Sequence, residues 1–356
     1  MIGVNFRLTY IAIEIAAVVI LLVTFGDCRA DKNSISSSTT SPSSSILIVG
    51  ATGTTGLRAI QGILDVGYQP SQLHIVARNK SQPKINQLKK LGFHIVQADL
   101  QQPTSINNIG KGCRGCYIHA TGGDTAKLDT SEISSAQNLC NALHTDIKSI
   151  TYNSAAGRKD HGVLRIQQKH DVETILSKRK YCHVTSLRAN LFDEELWKEF
   201  TRPEILQKDR YPLPCNRWKK TYLTSVRDMG RLAGTIIARD ESATDTGMES
   251  TSIRILNVAG DHLTGPQIAK CFGKAQGSKV RYYNNHELTK MAKKSFPELY
   301  QQIKFLQTNK EKTNIRMLKR EFPGLITSFS EFLEETKWSD RERKFDDLSN
   351  PQELKF

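Results

Sequence analysis

Cysteine is scarce in this sequence, with 7 in 356 residues. A small disulfide-held scaffold carries far more, so the core must be held by burial. Proline is sparse as well, at 11, which excludes a proline-rich low-complexity chain. Long apolar runs are missing. The one candidate, residues 10–25, is roughly 16 residues against the about 20 that a spanning helix needs, and Glu14 interrupts it. A polytopic membrane protein is thereby excluded. The pair Cys113-Arg114-Gly115-Cys116 has no second pair at zinc-finger spacing, so no metal site is expected. Negative charge is the minority: 36 Asp+Glu against 50 Lys+Arg leave a net +14. That balance favours anionic partners such as a phosphorylated cofactor, an acidic membrane surface or a nucleic acid. No helix-turn-helix or RNA-binding signature accompanies it. The basic clusters (Lys178-Arg179-Lys180, Lys219-Lys220, Lys293-Lys294, Lys319-Arg320) are scattered like solvated faces, and nucleic acid is not an expected partner.

What is present falls into segments. Residues 1–30 read as a targeting segment: Arg7, the apolar stretch 10–25, then Cys28-Arg29-Ala30 with small residues three and one before a cleavage point. The segment is either a cleaved secretory signal peptide or an uncleaved anchor attaching the chain to a membrane through residues 10–25. Residues 31–44 are rich in Ser and Thr and read as a disordered linker. Such a stretch also suits a second, plastid-type targeting signal.

Ordered sequence begins at Ser45. Ile46-Leu47-Ile48-Val49 reads as a strand buried on both faces, typical of a parallel sheet. Gly50-Ala51-Thr52-Gly53-Thr54-Thr55-Gly56 follows, and then a helix with Leu57, Ile60, Ile63 and Leu64 on one stripe. Strand, Gly-x-x-Gly-x-x-Gly, helix is the order that dinucleotide binding requires. Gly50 allows the tight turn, Gly53 allows close approach of a pyrophosphate, and Gly56 allows the helix to pack on the strand. The helix N-terminus presents free N–H groups to the phosphates.

The second strand, residues 73–77, ends at Arg78, about 20 residues beyond Gly56, where an acidic residue would hold the ribose hydroxyl of NAD. No Asp or Glu stands there. Arg78, with Lys80 and Lys84 near it, suits the 2′-phosphate of NADP(H). Further strands are predicted at 93–99, with Asp99 and Leu100 where an adenine would lie, at 116–123, with Ala120 and Thr121 beside the cofactor, and at 149–156. Helices between them imply a Rossmann-type, doubly wound parallel α/β sheet, whose ligands bind beyond the carboxyl ends of the strands. The C-terminal part reads as a strand near 253–258 and helices over 265–276, 285–306 and 329–337, with Pro266 in a first turn and Ser328 with Glu331 at a helix start.

These pieces resemble the NmrA-like NAD(P)-binding proteins of the atypical short-chain dehydrogenase/reductase superfamily. The glycine motif, Ala77-Arg78-Asn79, Ala98-Asp99-Leu100, Asn153-Ser154-Ala155 and Lys169 to Glu173 carry the resemblance. So do the stretches 186–192 and 228–231, Phe322-Pro323-Gly324 and Ser328-Phe329. The resemblance implies one NAD(P)-binding domain over 45–340, strands at 182–189 and 253–259, lid segments at 192–224 and 261–336, and a tail at 341–356.

It also implies a chemistry that this chain meets only in part. Reductases of the superfamily use a Tyr four residues before a Lys, with a Ser on the preceding strand. Here the lysine position is Lys169 and the serine Ser154, but Arg165 stands where the tyrosine would be, and an arginine cannot give up its proton. Two outcomes follow. Either Lys169, Tyr152 or His161 handles the proton and the protein is an NADPH-dependent oxidoreductase of a small organic substrate. Or it binds NADP(H) without turnover and reports the redox ratio through a protein partner. The apolar and basic side chains of the lid (Leu191, Phe192, Trp197, Trp218 and Tyr222 among them) suit a flat or acidic molecule. The C-x-x-C falls in the turn entering the fourth strand, away from the cofactor end. The sequon Asn79-Lys80-Ser81 lies beside Arg78, so a glycan there would cover the 2′-phosphate site.

Overall fold

A strand made of Ile46-Leu47-Ile48-Val49 needs apolar cover on both faces. It has it: none of the four is more than 2% exposed. The computed structural model describes residues 44–119, 131–157, 162–198, 201–242 and 252–356. The first strand, β1 (Ser45–Val49), is followed by α1 (Thr54–Asp65), β2 (Leu73–Ala77), α2 (Pro83–Lys90) and β3 (His94–Gln97). Then come β4 (Cys113–Ile118), α3 (Ser131–Ala142), β5 (Ser149–Ala155), α4 (Leu164–Leu176) and β6 (His183–Ala189). Later in the chain α6 (Val226–Ser242) leads to β10 (Ile253–Val258). The seven strands form one parallel sheet in the order β10-β6-β5-β4-β1-β2-β3. The order reverses between β1 and β4, which is where open sheets of this kind leave a crevice at the carboxyl ends of their strands.

The cap is built from β7 (Leu191–Phe192), α5 (Arg202–Lys208), β8 (Arg210–Leu213), β9 (Lys220–Thr224), β11 (Asp261–Thr264), α7 (Gly265–Gln276) and β12 (Arg281–Asn284). Helices α8 (His286–Ser295), α9 (Pro297–Thr308), α10 (Ile315–Glu321) and α11 (Phe329–Glu335) complete it. Its core is aromatic. Phe272 sits 4.6 Å from Trp338, 5.3 Å edge-on from Phe329 and 5.5 Å from Tyr211, ring centre to ring centre. Arg202 lies over Trp197 at 4.0 Å and donates to the carbonyls of Trp338 and Asp340.

Glycines join two helices of the sheet layer, and buried charge joins the sheet layer to the cap. A Cβ on Gly62 would lie 2.1 Å from the Arg227 carbonyl oxygen, and one on Gly230 would lie 2.0 Å from that of Ala59, so α1 and α6 pack backbone to backbone. Arg227 bridges Asp65 and Glu335, and Arg58 reaches Glu194 at 3.5 Å and Glu335 at 3.3 Å. The Glu194 carboxylate accepts from the Val226 N–H at the start of α6, a favourable place for negative charge.

Several expectations are corrected. The single helix over 285–306 is two, because Pro297 forces Phe296 out of helical geometry, at φ −138° and ψ 78°. The C-x-x-C lies on β4 itself, not before it. A register irregularity opposite Ser45 and Ile46 turns Cys113 and Cys116 into the same apolar cluster, where both are fully buried. Residues 341–356 are no tail: Leu348 is buried in the cap core, and Gln61 exchanges two hydrogen bonds of 2.9 Å with the Lys355 backbone. The starts of α7 and α11 agree with the sequence, each with a capping box, Thr264 with Gln267 and Ser328 with Glu331. The targeting segment and linker, 1–43, lie outside the described residues. Among the described residues no helix is long and apolar enough to cross a membrane.

Candidate functional site

Two features share the carboxyl edge of the sheet. The first is the glycine turn. Gly50 leaves β1 at φ +85°, a conformation that side chains rarely adopt. A Cβ on Gly56 would lie 2.2 Å from the Gly50 carbonyl oxygen and 2.6 Å from the Ala51 Cα, so only glycine lets α1 approach β1 this closely. Gly53 caps α1 with no side-chain hydrogen bond, and no acidic residue sits in the first turn. The positive end of α1 is therefore not offset by a carboxylate of its own. Thr52 is half-buried at the turn; Thr54 and Thr55 open α1, and their side chains lie outside what is described.

Arg78 and Lys80 follow β2 and are exposed, as is Asn79 of the sequon. Asp99 is a local organiser: its Oδ1 accepts from the Gln101 N–H at 3.0 Å, and its own N–H donates to Ser105 Oγ at 2.9 Å. Leu100 is part of the apolar core, and its carbonyl accepts from Asn138. Ala120 and Thr121, like His161, lie outside the described residues.

The second feature is a polar group above β5 and β6. Lys169, on α4 and 8% exposed, donates to Glu132 Oε1 at 2.6 Å and lies 5.2 Å from the centre of the Tyr152 ring. Tyr152 donates to the same oxygen at 3.3 Å. Burial first, and then the Glu132 charge, push its hydroxyl well above the ordinary tyrosine range. Tyr152 is thus a poor proton donor, sealed below the surface. Ser154 Oγ donates to Glu173 Oε1 at 2.7 Å; Ser186 does so at 2.6 Å, and Arg188 clasps both oxygens at 2.8 and 2.5 Å. Burial raises the Glu173 carboxyl, but the Arg188, Ser186 and Ser154 donors outweigh it and hold it below the ordinary value. His119, just past β4, accepts at Nδ1 from Asn153 Nδ2 at 2.9 Å, and the same nitrogen lies 3.3 Å from Tyr117 Oη. Burial, with the charge of Lys169, pushes it down to about 3, so it is neutral.

Sequence reasoning missed Glu132, His119, Asn153 and the clasp around Glu173. A signal was there. Ser186 and Arg188 stand two apart on β6 and so share a face, and Ser154 pairs with Arg188 across the sheet, so one face of β5–β6 carries polar groups that need an acid on the covering helix.

Between this group and the cap opens a cavity of about 370 Å3. Ser154 and Ala155 from β5, Ala189 from β6, Phe192, Phe305 and the stacked pair Tyr222–His262 line it. Its size is that of a site for one small molecule. Arg165, in the position where a reductase would have its tyrosine, also lines it and lies 3.6 Å from Glu298.

The NmrA-like family pattern matches residues 42–333, most of the chain. The chain belongs to the NmrA-like family. This NmrA-like chain is 30% identical over 158 residues to the photosystem II assembly factor Ycf39 of Cyanophora paradoxa, spanning 44% of its own length and 41% of that relative. The match thus spans less than half the length of the curated relative. Among solved structures, the triphenylmethane reductase of Citrobacter sp., complexed with NADP(H), superposes with a TM-score of 0.63 at 17% identity, covering 82% of this chain and 99% of that one. NmrA, a negative transcriptional regulator in complex with NADP, does so with a TM-score of 0.61 at 15% identity, covering 88% and 98%. Identities this low establish the shared fold of the NmrA-like domain and no more.

Proposed function

We propose that this chain binds NADP(H) and is an oxidoreductase that reduces a small organic substrate in the cavity beyond β5 and β6. The observation that carries the reading is the glycine turn whose Cβ space is filled by backbone, on the sheet edge where the cavity opens. A pyrophosphate fits the uncapped N-terminus of α1 at Gly50, Thr52, Gly53, Thr54, Thr55 and Gly56. The exposed Arg78 and Lys80 fit a 2′-phosphate. Lys169, with one N–H on Glu132, keeps two for a ribose hydroxyl. The bound nucleotide supplies a hydride. Lys169 Nζ is the proton-bearing atom we assign to the reaction, since Tyr152 is sealed and Ser154 is held by Glu173. The neighbouring reductase and regulator, both named as NADP complexes, support the cofactor assignment.

The experiment is calorimetry of the purified protein with NADPH and NADH, followed by NADPH oxidation with a panel of quinones and dyes. Tight NADPH binding with turnover that Lys169→Met abolishes is the expected result. No heat with either nucleotide sinks the reading. A second reading, a catalytically silent NADP(H) sensor acting through a protein partner, is favoured by Arg165 in the tyrosine position. Tight NADPH binding with no turnover selects it.

For location we favour an organelle such as a plastid over the secretory pathway. The Ser/Thr-rich stretch 31–44 and the likeness to a photosystem II assembly factor support this. The sequon at Asn79 argues against a glycosylating lumen, because a glycan there would cover the Arg78 site. A fluorescent protein fused behind residues 1–45 tests it; secretion or delivery to the cell surface would refute it.

A further inference from the structure

We infer that the cavity takes a flat aromatic molecule carrying an acidic group at one end and a hydroxyl or carbonyl at the other. The inference rests on the substrate role proposed for the cavity and deepens it. Three observations bear on it. The walls are apolar and flat: Leu191, Phe192, Ile166 and Phe305 line the cavity, and Tyr222 stacks on His262 with ring centres 3.7 Å apart and planes 7° from parallel. Such surfaces suit a planar ring system by area and by stacking.

The second observation is Gln302 on α9. It lines the same cavity and is only 8% exposed, yet neither Nε2 nor Oε1 has a hydrogen-bond partner among the described residues. A buried amide left so costs stability, and native folds rarely leave one without a purpose. An amide offers a donor and an acceptor together. A hydroxyl answers both, and a carbonyl answers the donor.

The third is charge. Lys219, Lys220, Lys310 and Lys312 line the cavity together with Arg165, against one carboxylate, Glu311. Lys219 donates to the Asn309 carbonyl and Arg165 faces Glu298. Lys220, Lys310 and Lys312 are exposed and have no carboxylate in ion-pair range among the described residues. Their field reaches the wall: burial lowers the His262 pKa, and the charges of Lys220 and Lys219 lower it further. An anion at this mouth is attracted and a cation repelled.

The test is calorimetry on the full chain without nucleotide, using four ligands: naphthoate, a hydroxynaphthoate, naphthylmethanol and naphthylmethylamine. Naphthoate should bind at least about tenfold more tightly than naphthylmethylamine, and its advantage should shrink in high salt. The hydroxynaphthoate should gain a further several-fold, of the order of one hydrogen bond. The double variant Lys220→Gln/Lys312→Gln, shown to be folded by circular dichroism, should weaken naphthoate about tenfold and leave naphthylmethanol unchanged. Gln302→Leu should remove the advantage of the hydroxyl and leave naphthoate unchanged. Equal binding of naphthoate and naphthylmethylamine overturns the inference, as does a double variant that binds naphthoate like the parent. A hydroxyl advantage that survives Gln302→Leu overturns the assignment of Gln302. NADPH calorimetry on the same protein separates the two levels. Absent NADPH affinity with an intact acid preference removes the cofactor reading alone, and NADPH binding with no acid preference removes this inference alone.

Discussion

The sheet layer and the cap are built from different material. Around β1 the core is mainly aliphatic and regular, with one cluster on each face of the sheet and Ile46, Leu47, Ile48 and Ile118 fully buried. In the cap, strands of two to five residues hang on rings: Trp197, Trp338, Phe272, Phe329 and Tyr211. The difference teaches how each part can vary. A parallel sheet fixes the glycine turn through backbone pairing on both sides, whereas the cap fixes its cavity through side-chain packing that other side chains could reshape. A rigid turn beside an adaptable cavity suits a fold on which many different sites are built.

The largest test of this contrast is Phe272→Ala. Removing a fully buried ring at the centre of the cap should cost about 3–5 kcal/mol, read as a fall in denaturant midpoint. Nucleotide affinity should be retained while the protein stays folded. A joint loss of both would mean that cap and sheet are one unit. Next is Gly56→Ala, where the new Cβ would meet the Gly50 carbonyl at 2.2 Å. NADPH affinity should fall at least about a hundredfold, equivalent to about 2.8 kcal/mol, while naphthoate binding in the cavity stays as it was. Unchanged NADPH titrations would remove the turn from the site.

A smaller effect is expected at Arg78. Arg78→Ala should weaken NADPH about tenfold and leave NADH as before, since only the former has a 2′-phosphate to lose. Equal weakening of both would assign Arg78 to another part of the nucleotide. The last test is acid titration. The folded carboxyl of Glu173 lies below its ordinary value of 4.5. A lowered folded value gives stability that is complete above the unfolded value and is lost as pH falls through the folded one. Glu173→Gln should therefore flatten the acid limb of the stability profile. An identical limb in the variant would show that the clasp of Arg188, Ser186 and Ser154 does not couple to folding.

Most of the sheet was legible because its signal is local. Four apolar residues bounded by glycine read as β1, and strand–helix alternation gave the doubly wound order. The place of Arg78 at the end of β2 followed from spacing, and Pro266 in a first turn and Ser328 with Glu331 at a helix start from pattern; the capping box at Thr264 was not read. The cap was less legible. Leu191–Phe192 and Asp261–Thr264 are too short to carry a period, and their pairing partners lie far along the chain at Lys220–Thr224. Within the site, Lys169 and Ser154 could be placed by motif, but their partners could not. Glu132 and Glu173 are recognised only when α3 and α4 are laid across β5, because a carboxylate on a helix reads as a solvated face until the strand beneath it is known.

The thiols offer an internal clock for unfolding. Cys113, Cys116, Cys182 and Cys215 are sealed, and burial pushes Cys113, Cys182 and Cys215 up to about 12, where they stay inert. Only Cys140 and Cys271 of the described cysteines are half-open. A maleimide pulse should therefore tag these two in the native molecule. Each opening of the sheet or of the cap should then add its own masses, Cys113, Cys116 and Cys182 marking the first and Cys215 the second.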